Sequence, residues 1–316
     1  MNLTKIKKTV KDFLKYLEYK NAKQLNPTGE LCIFRCKGGN PGLFSYVIST
    51  LGFVRWAHKK GFRPVIDLQS FTNTYLGEDS VGTLNAWDYY FEQPMGVSYE
   101  ECINSNDSIK IFDTSETNPM GVLKSPWWDW EVYNQRSATC KMWRAYAHRY
   151  IRFSKQAQQR IDKTWNELVS PNDRVLGIQC RGTDYTRHKP KAHPVQPEPE
   201  MVIEKAKQLV KERNYNKIFL ATEDGIIFKQ FQKEFGDMII ASDKSHVDYD
   251  GNAWINSVLP SGQQEKLEHG MDYLVSMAML TRCDAFIAGR TSGSLGVMCL
   301  SKGFEYTYIW DLGVYE

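Results

Sequence analysis

The sequence predicts an α/β protein of two domains, each built on a parallel sheet, and three observations carry this. Strand-like and helix-like segments alternate through the second half of the chain, the pattern of a doubly wound parallel sheet. A strand, a Gly-rich turn, a helix and a second strand follow one another between residues 30 and 68, which makes a βαβ unit. Between these stretches lies the break Ser170-Pro171-Asn172-Asp173, and 316 residues is the length of about two domains. The expected division is 1–24, 25–170 and 171–316.

Residues 1–24 come first. Leu3, Ile6, Val10, Phe13, Leu14 and Leu17 recur at helical spacing with Lys on the other side, which predicts an amphipathic helix. Such a helix either packs its apolar face on the domain or docks on an anionic membrane surface. After Asn26-Pro27-Thr28-Gly29, residues 30–36 read as a strand feeding the turn Lys37-Gly38-Gly39-Asn40-Pro41-Gly42. Residues 43–58 read as a helix and 63–68 as a strand. Residues 69–135 read as irregular, with Trp127, Trp128 and Trp130 on a loop, and 136–169 as one long helical region. Beyond the break, strands are expected at 174–180, 217–222, 238–242, 285–288 and 304–310. Helices are expected at 199–213, 225–235, 263–282 and 294–300, the first with Pro199 in its opening turn.

Composition excludes several classes. Charged residues are 24% and hydrophobic ones 42%, which rules out wholesale disorder and a fibrous repeat. A net charge of +3 does not argue for nucleic-acid binding. That charge is unevenly placed: residues 1–24 hold seven Lys against Asp12 and Glu18, a local +5, so the rest of the chain sums to −2. No run approaches the roughly 18 apolar residues that span a bilayer, and Lys interrupts the N-terminal apolar positions too often for a secretory signal. Seven scattered Cys without a CxxC pair argue against zinc and for reduced thiols in a cytoplasmic protein.

In doubly wound sheets, ligands bind outside the carboxyl ends of the strands. Four strand ends therefore supply the candidates: Arg181 to Tyr185, Thr222-Glu223-Asp224, Ser242-Asp243, and Gly289-Arg290-Thr291-Ser292-Gly293-Ser294, which opens a helix. A basic residue, carboxylates and a Ser/Thr/Gly helix start on one rim suit a nucleoside diphosphate. The hydroxyls and N–H groups of Thr291, Ser292, Gly293 and Ser294 can hold phosphate oxygens at the positive end of the helix dipole. Arg181 can clamp a diphosphate and stabilise it as a leaving group. Asp224 is suited to ribose hydroxyls or base donors. Asp248 and Asp250 have D-x-D spacing but lie in a polar loop, so no metal site is expected.

Four segments in order resemble the fucosyltransferase-like glycosyltransferases, the superfamily of the nodulation-factor, core α-1,6- and protein O-fucosyltransferases. Gly177 to Tyr185 resembles the H-x-R-G-T-D-Y strand-end motif, and Lys189-Pro190-Lys191-Ala192-His193-Pro194 the K-P-K-G-H-P stretch. Phe219 to Asp224 is similar to the strand ending A-T-D/E-D. Tyr273 to Asp284, with Ile287 to Ser294, is similar to the final L-S-x-C-D…S-S block. The likeness covers about residues 174–300 and reaches weakly to Gly38–Gly42 and the aromatics near Trp87. Gln179 stands where the motif's His is usual, and Ser276 where many members place the acidic residue that reads guanine.

The resemblance implies a GT-B architecture, two Rossmann-like domains facing across a cleft, with the donor site in the C-terminal one. It implies metal-independent, inverting transfer from a nucleotide sugar, GDP-fucose for preference, in polysaccharide or glycolipid biosynthesis, with the donor as cosubstrate and no cofactor. Carried over by position, Arg181 is the diphosphate clamp, Glu223 and Asp224 are donor-site carboxylates, and Ser292 with its neighbours binds the pyrophosphate. Inverting transfer also needs a base: His193 is one candidate, and Asp184 either serves there or orients Arg181. Gly39, Asn40 and Arg35 are candidates for contact with phosphate or acceptor, and the loop tryptophans for stacking on sugar rings. The expected partners are a nucleotide sugar and a saccharide or glycolipid acceptor, with no nucleic acid and with peripheral membrane contact through residues 1–24. The same fold with another donor, or a non-catalytic scaffold or carbohydrate-binding protein, are the rival readings.

Overall fold

The computed structural model describes residues 3–24, 27–37, 41–114, 123–182, 188–242 and 262–316. The chain falls into two compact units. One comprises Met1–Ala157, Ser261–Leu267 and Met298–Leu300, the other Gln158–Pro260, Glu268–Val297 and Ser301–Glu316.

In the first unit, α1 (Leu3–Gln24) precedes β1 (Leu31–Arg35), α2 (Leu43–Lys60) and β2 (Arg63–Asp67), the predicted βαβ unit. The short helices α3 (Ala86–Tyr90) and α4 (Tyr99–Ile103), the strand β3 (Ile109–Asp113) and α5 (Ala138–Tyr150) follow. The three strands are parallel in the order β2-β1-β3. Arg35 pairs in register with Asp67 and Asp113, so the carboxyl ends form a charged rim. Phe34 of β1 stacks on Phe53 of α2 with ring centroids 4.6 Å apart.

Polar contacts hold α1 in place. Glu18 accepts from Arg55 at 2.5 Å and pairs with Lys59 at 2.9 Å, Lys15 pairs with Asp129 at 2.6 Å, and Arg149 donates to the Ala22 carbonyl at 2.8 Å. Burial alone would raise the Glu18 carboxyl, but the bonds from Arg55 and Lys59 outweigh it and hold the group below its ordinary value. The apolar stripe is not the packed side: Val10, Phe13 and Leu14 are exposed.

In the second unit, α6 (Lys155–Leu168), almost wholly within this unit, leads to β4 (Val175–Gln179), α7 (Pro199–Arg213), β5 (Lys217–Ala221), α8 (Gly225–Phe235) and β6 (Ile239–Ile240). Then come α9 (Gln263–Leu280), β7 (Ala285–Ala288), α10 (Ser292–Leu300) and β8 (Tyr306–Ile309). The five strands are all parallel in the order β6-β5-β4-β7-β8. Leu176, Ile178, Ile218, Leu220 and Ile287 of the sheet share one core with Val202, Ala206 and Leu209 of α7 and Ile227 and Phe231 of α8. Each large side chain buried there contributes about 1.5–3 kcal/mol.

Two expectations are corrected. The region 136–169 is two helices, because the chain breaks at 151–154 to bond with residues 90–92. Glu92 N donates to the Arg152 carbonyl at 2.8 Å, and Ser154 N to the Tyr90 carbonyl at 2.9 Å. The region 69–135 holds β3, α3 and α4 rather than irregular chain alone. All seven cysteines are free thiols, none in a disulfide. Among the described residues, no helix is long and apolar enough to cross a membrane.

Candidate active site

The strand order fixes where a ligand would sit. From β4 the chain winds outward through β5 to β6, then returns to the other side of β4 for β7 and β8. Adjacent strands whose connections leave in opposite directions open a crevice at their carboxyl ends. That switch point lies between β4 and β7, where Arg181 follows one strand and the α10 N-terminus follows the other.

A concave site of about 590 Å³, counting the space open to solvent, lies beside this point, at the carboxyl ends of β4 and β5. The end of β4 contributes Gln179, Cys180 and Arg181, the end of β5 Ala221, Thr222 and Glu223, and α9 contributes His269, Tyr273, Ser276 and Met277. The spacing of the α9 residues puts them on one helix face. Burial pushes the Cys180 thiol up to about 12, with Asp224 adding to the shift. It lines the wall as a neutral thiol. Ser276 is buried, with its hydroxyl 2.5 Å from that of Ser242.

The N-terminus of α10 is fixed by a reciprocal cap. The Thr291 hydroxyl accepts from Ser294 N at 3.0 Å, and the Ser294 hydroxyl accepts from Thr291 N at 2.9 Å. The Thr291 hydroxyl also donates to the side-chain oxygen of Gln179 at 3.1 Å, tying the helix start to the end of β4. Gly293 permits this approach: a Cβ there would come 2.6 Å from Gln179 Nε2 and 2.9 Å from the Tyr273 hydroxyl. The first-turn N–H groups therefore sit beside the cavity wall, where the helix dipole favours an anion.

Asp224 builds the other side. It caps α8, accepting from Ile226 N at 2.8 Å and Ile227 N at 3.3 Å, and it is buried. A Cβ on Gly182 would come 2.7 Å from Asp224 Oδ2, so only glycine lets the chain after Arg181 pass this cap.

No protein-family model and no curated protein sequence matches the chain. Solved structures do. NodZ α-1,6-fucosyltransferase soaked with GDP-fucose aligns with a TM-score of 0.53 at 15% identity, over 86% of this chain and 93% of that one. Fucosyltransferase NodZ from Bradyrhizobium aligns at 0.51 and 16%, over 87% and 94%. POFUT1 in complex with GDP aligns at 0.53 and 12%, over 90% and 99%. The fold is that of these GT-B fucosyltransferases.

Within that fucosyltransferase fold, the residues singled out from sequence take different places. Arg181 and Glu223 line the cavity, and Ser292 and Gly293 open the adjoining helix. Asp224, Thr291 and Ser294 are buried, and their side chains cap α8 and α10 at the ends of β5 and β7. His193 is not among the lining residues; its Nδ1 lies 3.1 Å from the Lys191 carbonyl, and its own carbonyl accepts from Tyr315 N at 2.9 Å. Asp184, Gly39, Asn40, Asp248 and Asp250 lie outside the described residues. In the first unit, Arg35 is held by Asp67 at 2.5 Å and by the Tyr99 hydroxyl at 3.1 Å. Trp130 is exposed and stacks on Tyr133 at 6.0 Å. His269, Tyr273 and Met277 are wall residues that lie outside the strand-end candidates. Their four-residue rhythm with Ser276 was visible, but not which face of α9 meets the cavity.

Proposed function

We propose that the chain is a glycosyltransferase whose second unit binds a nucleoside-diphosphate sugar, with GDP-fucose the donor and a surface saccharide or glycolipid the acceptor. One observation carries this reading: Arg181 and the capped N-terminus of α10 follow the two strands of the switch point beside one cavity. A guanidinium and a helix dipole together suit a diphosphate. The likeness in fold to fucosyltransferases solved with GDP-fucose or GDP supports the donor class.

Transfer would run as one displacement. The acceptor oxygen attacks the anomeric carbon, the bond from that carbon to the phosphate oxygen breaks, and the configuration inverts. The departing diphosphate gathers negative charge, which Arg181 and the α10 dipole stabilise more strongly than the ground state. This is the task a bound cation performs in other transferases, so the reading is metal-independent. Glu223 is assigned to donor hydroxyls from its place in the lining. The acceptor proton goes to a base for which Asp184, three residues after Arg181, and His193 are the two candidates; His193 stands outside the cavity lining and Asp184 outside the described residues.

The test is release of GDP from GDP-fucose with a panel of saccharide and glycolipid acceptors. Activity that disappears in Arg181→Ala, with the melting temperature kept, supports the site. Wild-type turnover in that variant overturns it. Turnover with a UDP- or dTDP-sugar alone would move the donor assignment while leaving the diphosphate site intact.

A further inference from the structure

The helix α1 is packed the wrong way round for an ordinary surface helix. Ile6, Val10, Phe13, Leu14 and Leu17 fall within roughly 100° of helix arc, and their exposures are 37%, 52%, 59%, 58% and 40%. The side turned toward the unit lies about 140° away and carries Lys15, Glu18, Tyr19 and Ala22, with the ion pairs to Arg55, Lys59 and Asp129. A helix placed by the hydrophobic effect would do the opposite. Ion pairs hold this one down, and its large apolar side chains project into water as a stripe.

The surroundings of the stripe are cationic. Ile6, Val10 and Leu14 form the apolar side of a groove of about 870 Å³, counting the space open to solvent, that is rimmed by Lys7, Lys11, Arg55 and Lys59. Lys20 is exposed on the opposite flank. Residues 1–24 carry seven Lys against two acids, and Glu18 is already engaged by Arg55 and Lys59. A second copy of the chain laid on this stripe would set lysine against lysine. An anionic bilayer offers apolar depth under the stripe and negative headgroups beside it.

We propose that α1 docks the protein on an anionic lipid surface, lying in the plane of the interface with its apolar stripe inward and its lysines against the headgroups. This stands on α1 and its neighbours alone and is independent of the donor-site reading.

The test is sedimentation of the full chain with vesicles of phosphatidylcholine, alone or with phosphatidylglycerol at about one lipid in three. The expected result is binding at least about 10-fold stronger to the anionic vesicles, weakening as salt is raised toward about 0.5 M. The double variant Phe13→Asp/Leu14→Asp should bind at least about 10-fold more weakly at an unchanged melting temperature. If that variant folds poorly, Val10→Ser replaces it, with binding weakened about 3-fold expected. Wild-type protein left in the supernatant with anionic vesicles overturns the proposal, as does undiminished binding by the folded variant. A concentration-dependent dimer that the same variant abolishes, without vesicle binding, would assign the stripe to self-association and overturn it equally.

Discussion

Replacing Thr291 with Val tests whether the α10 N-terminus is preorganised as described. Valine has nearly the same shape but no hydroxyl, so the change deletes one oxygen from a position only 3% exposed. Two bonds disappear with it: acceptance from Ser294 N at 3.0 Å and donation to the Gln179 oxygen at 3.1 Å. Loss of an N-cap costs about 0.5–2 kcal/mol, and a buried acceptor left without its partner about 1–3 kcal/mol. The two overlap, so roughly 3 kcal/mol is expected, or about 6–12 °C in the melting temperature of a unit this size. Urea unfolding with an unchanged slope checks the first figure and calorimetry the second. Thr291→Ser keeps the hydroxyl and should stay within about 1 kcal/mol of wild type. A Thr291→Val protein within about 0.5 kcal/mol of wild type would mean that the hydroxyl holds nothing and that the α10 start is not preorganised by it.

Three further outcomes are expected. Gly293→Ala should destabilise by about 1–3 kcal/mol through contact with Gln179 and Tyr273, whereas an open site would gain about 1 kcal/mol from the better helix former; the sign read by urea unfolding decides. Ala192 has a φ of 62°, in the left-handed region, and is exposed, so Ala192→Gly should stabilise by roughly 0.5–1 kcal/mol in the same assay. His58 is buried, with Nδ1 2.6 Å from the Tyr150 hydroxyl, and burial followed by the nearby Arg149 lowers its pKa below 6.5. The fold therefore favours its neutral form, so the contribution to stability is present above pH 6.5 and is lost as pH falls through the folded value. Melting curves between about pH 5 and 8 should flatten in His58→Gln.

The second unit was the more legible from sequence, for a physical reason. Its central strands are buried on both faces, so 175–178 and 285–288 read as continuous apolar runs, and Arg181 and Thr291 follow shortly after their ends. The edge strand β3 is weakly marked in the sequence: Ile109-Lys110-Ile111-Phe112 is a short run beside polar residues 104–108, and it leaves Ile111 54% exposed. The break at 151–154 contains no Gly or Pro; hydrogen bonds to residues 90–92, distant in sequence, create it. The stripe on α1 was plain in the sequence, but which way it faced depended on Glu18 meeting Arg55 and Lys59. The site followed the same division. Strand-end residues were found by position, whereas the caps on Asp224, Thr291 and Ser294 and the α9 wall emerge only once helices are packed beside the sheet.

The proposed diphosphate site between Arg181 and the α10 N-terminus is tested by calorimetric titration of GDP, UDP, dTDP and ADP into the full chain. GDP is expected to bind at least about 10-fold more tightly than the others, and Arg181→Ala, folded as wild type, to weaken it a further 10- to 100-fold or so, the worth of charge-assisted bonds. No heat with any of the four nucleotides, or equal GDP affinity in the variant, would contradict it.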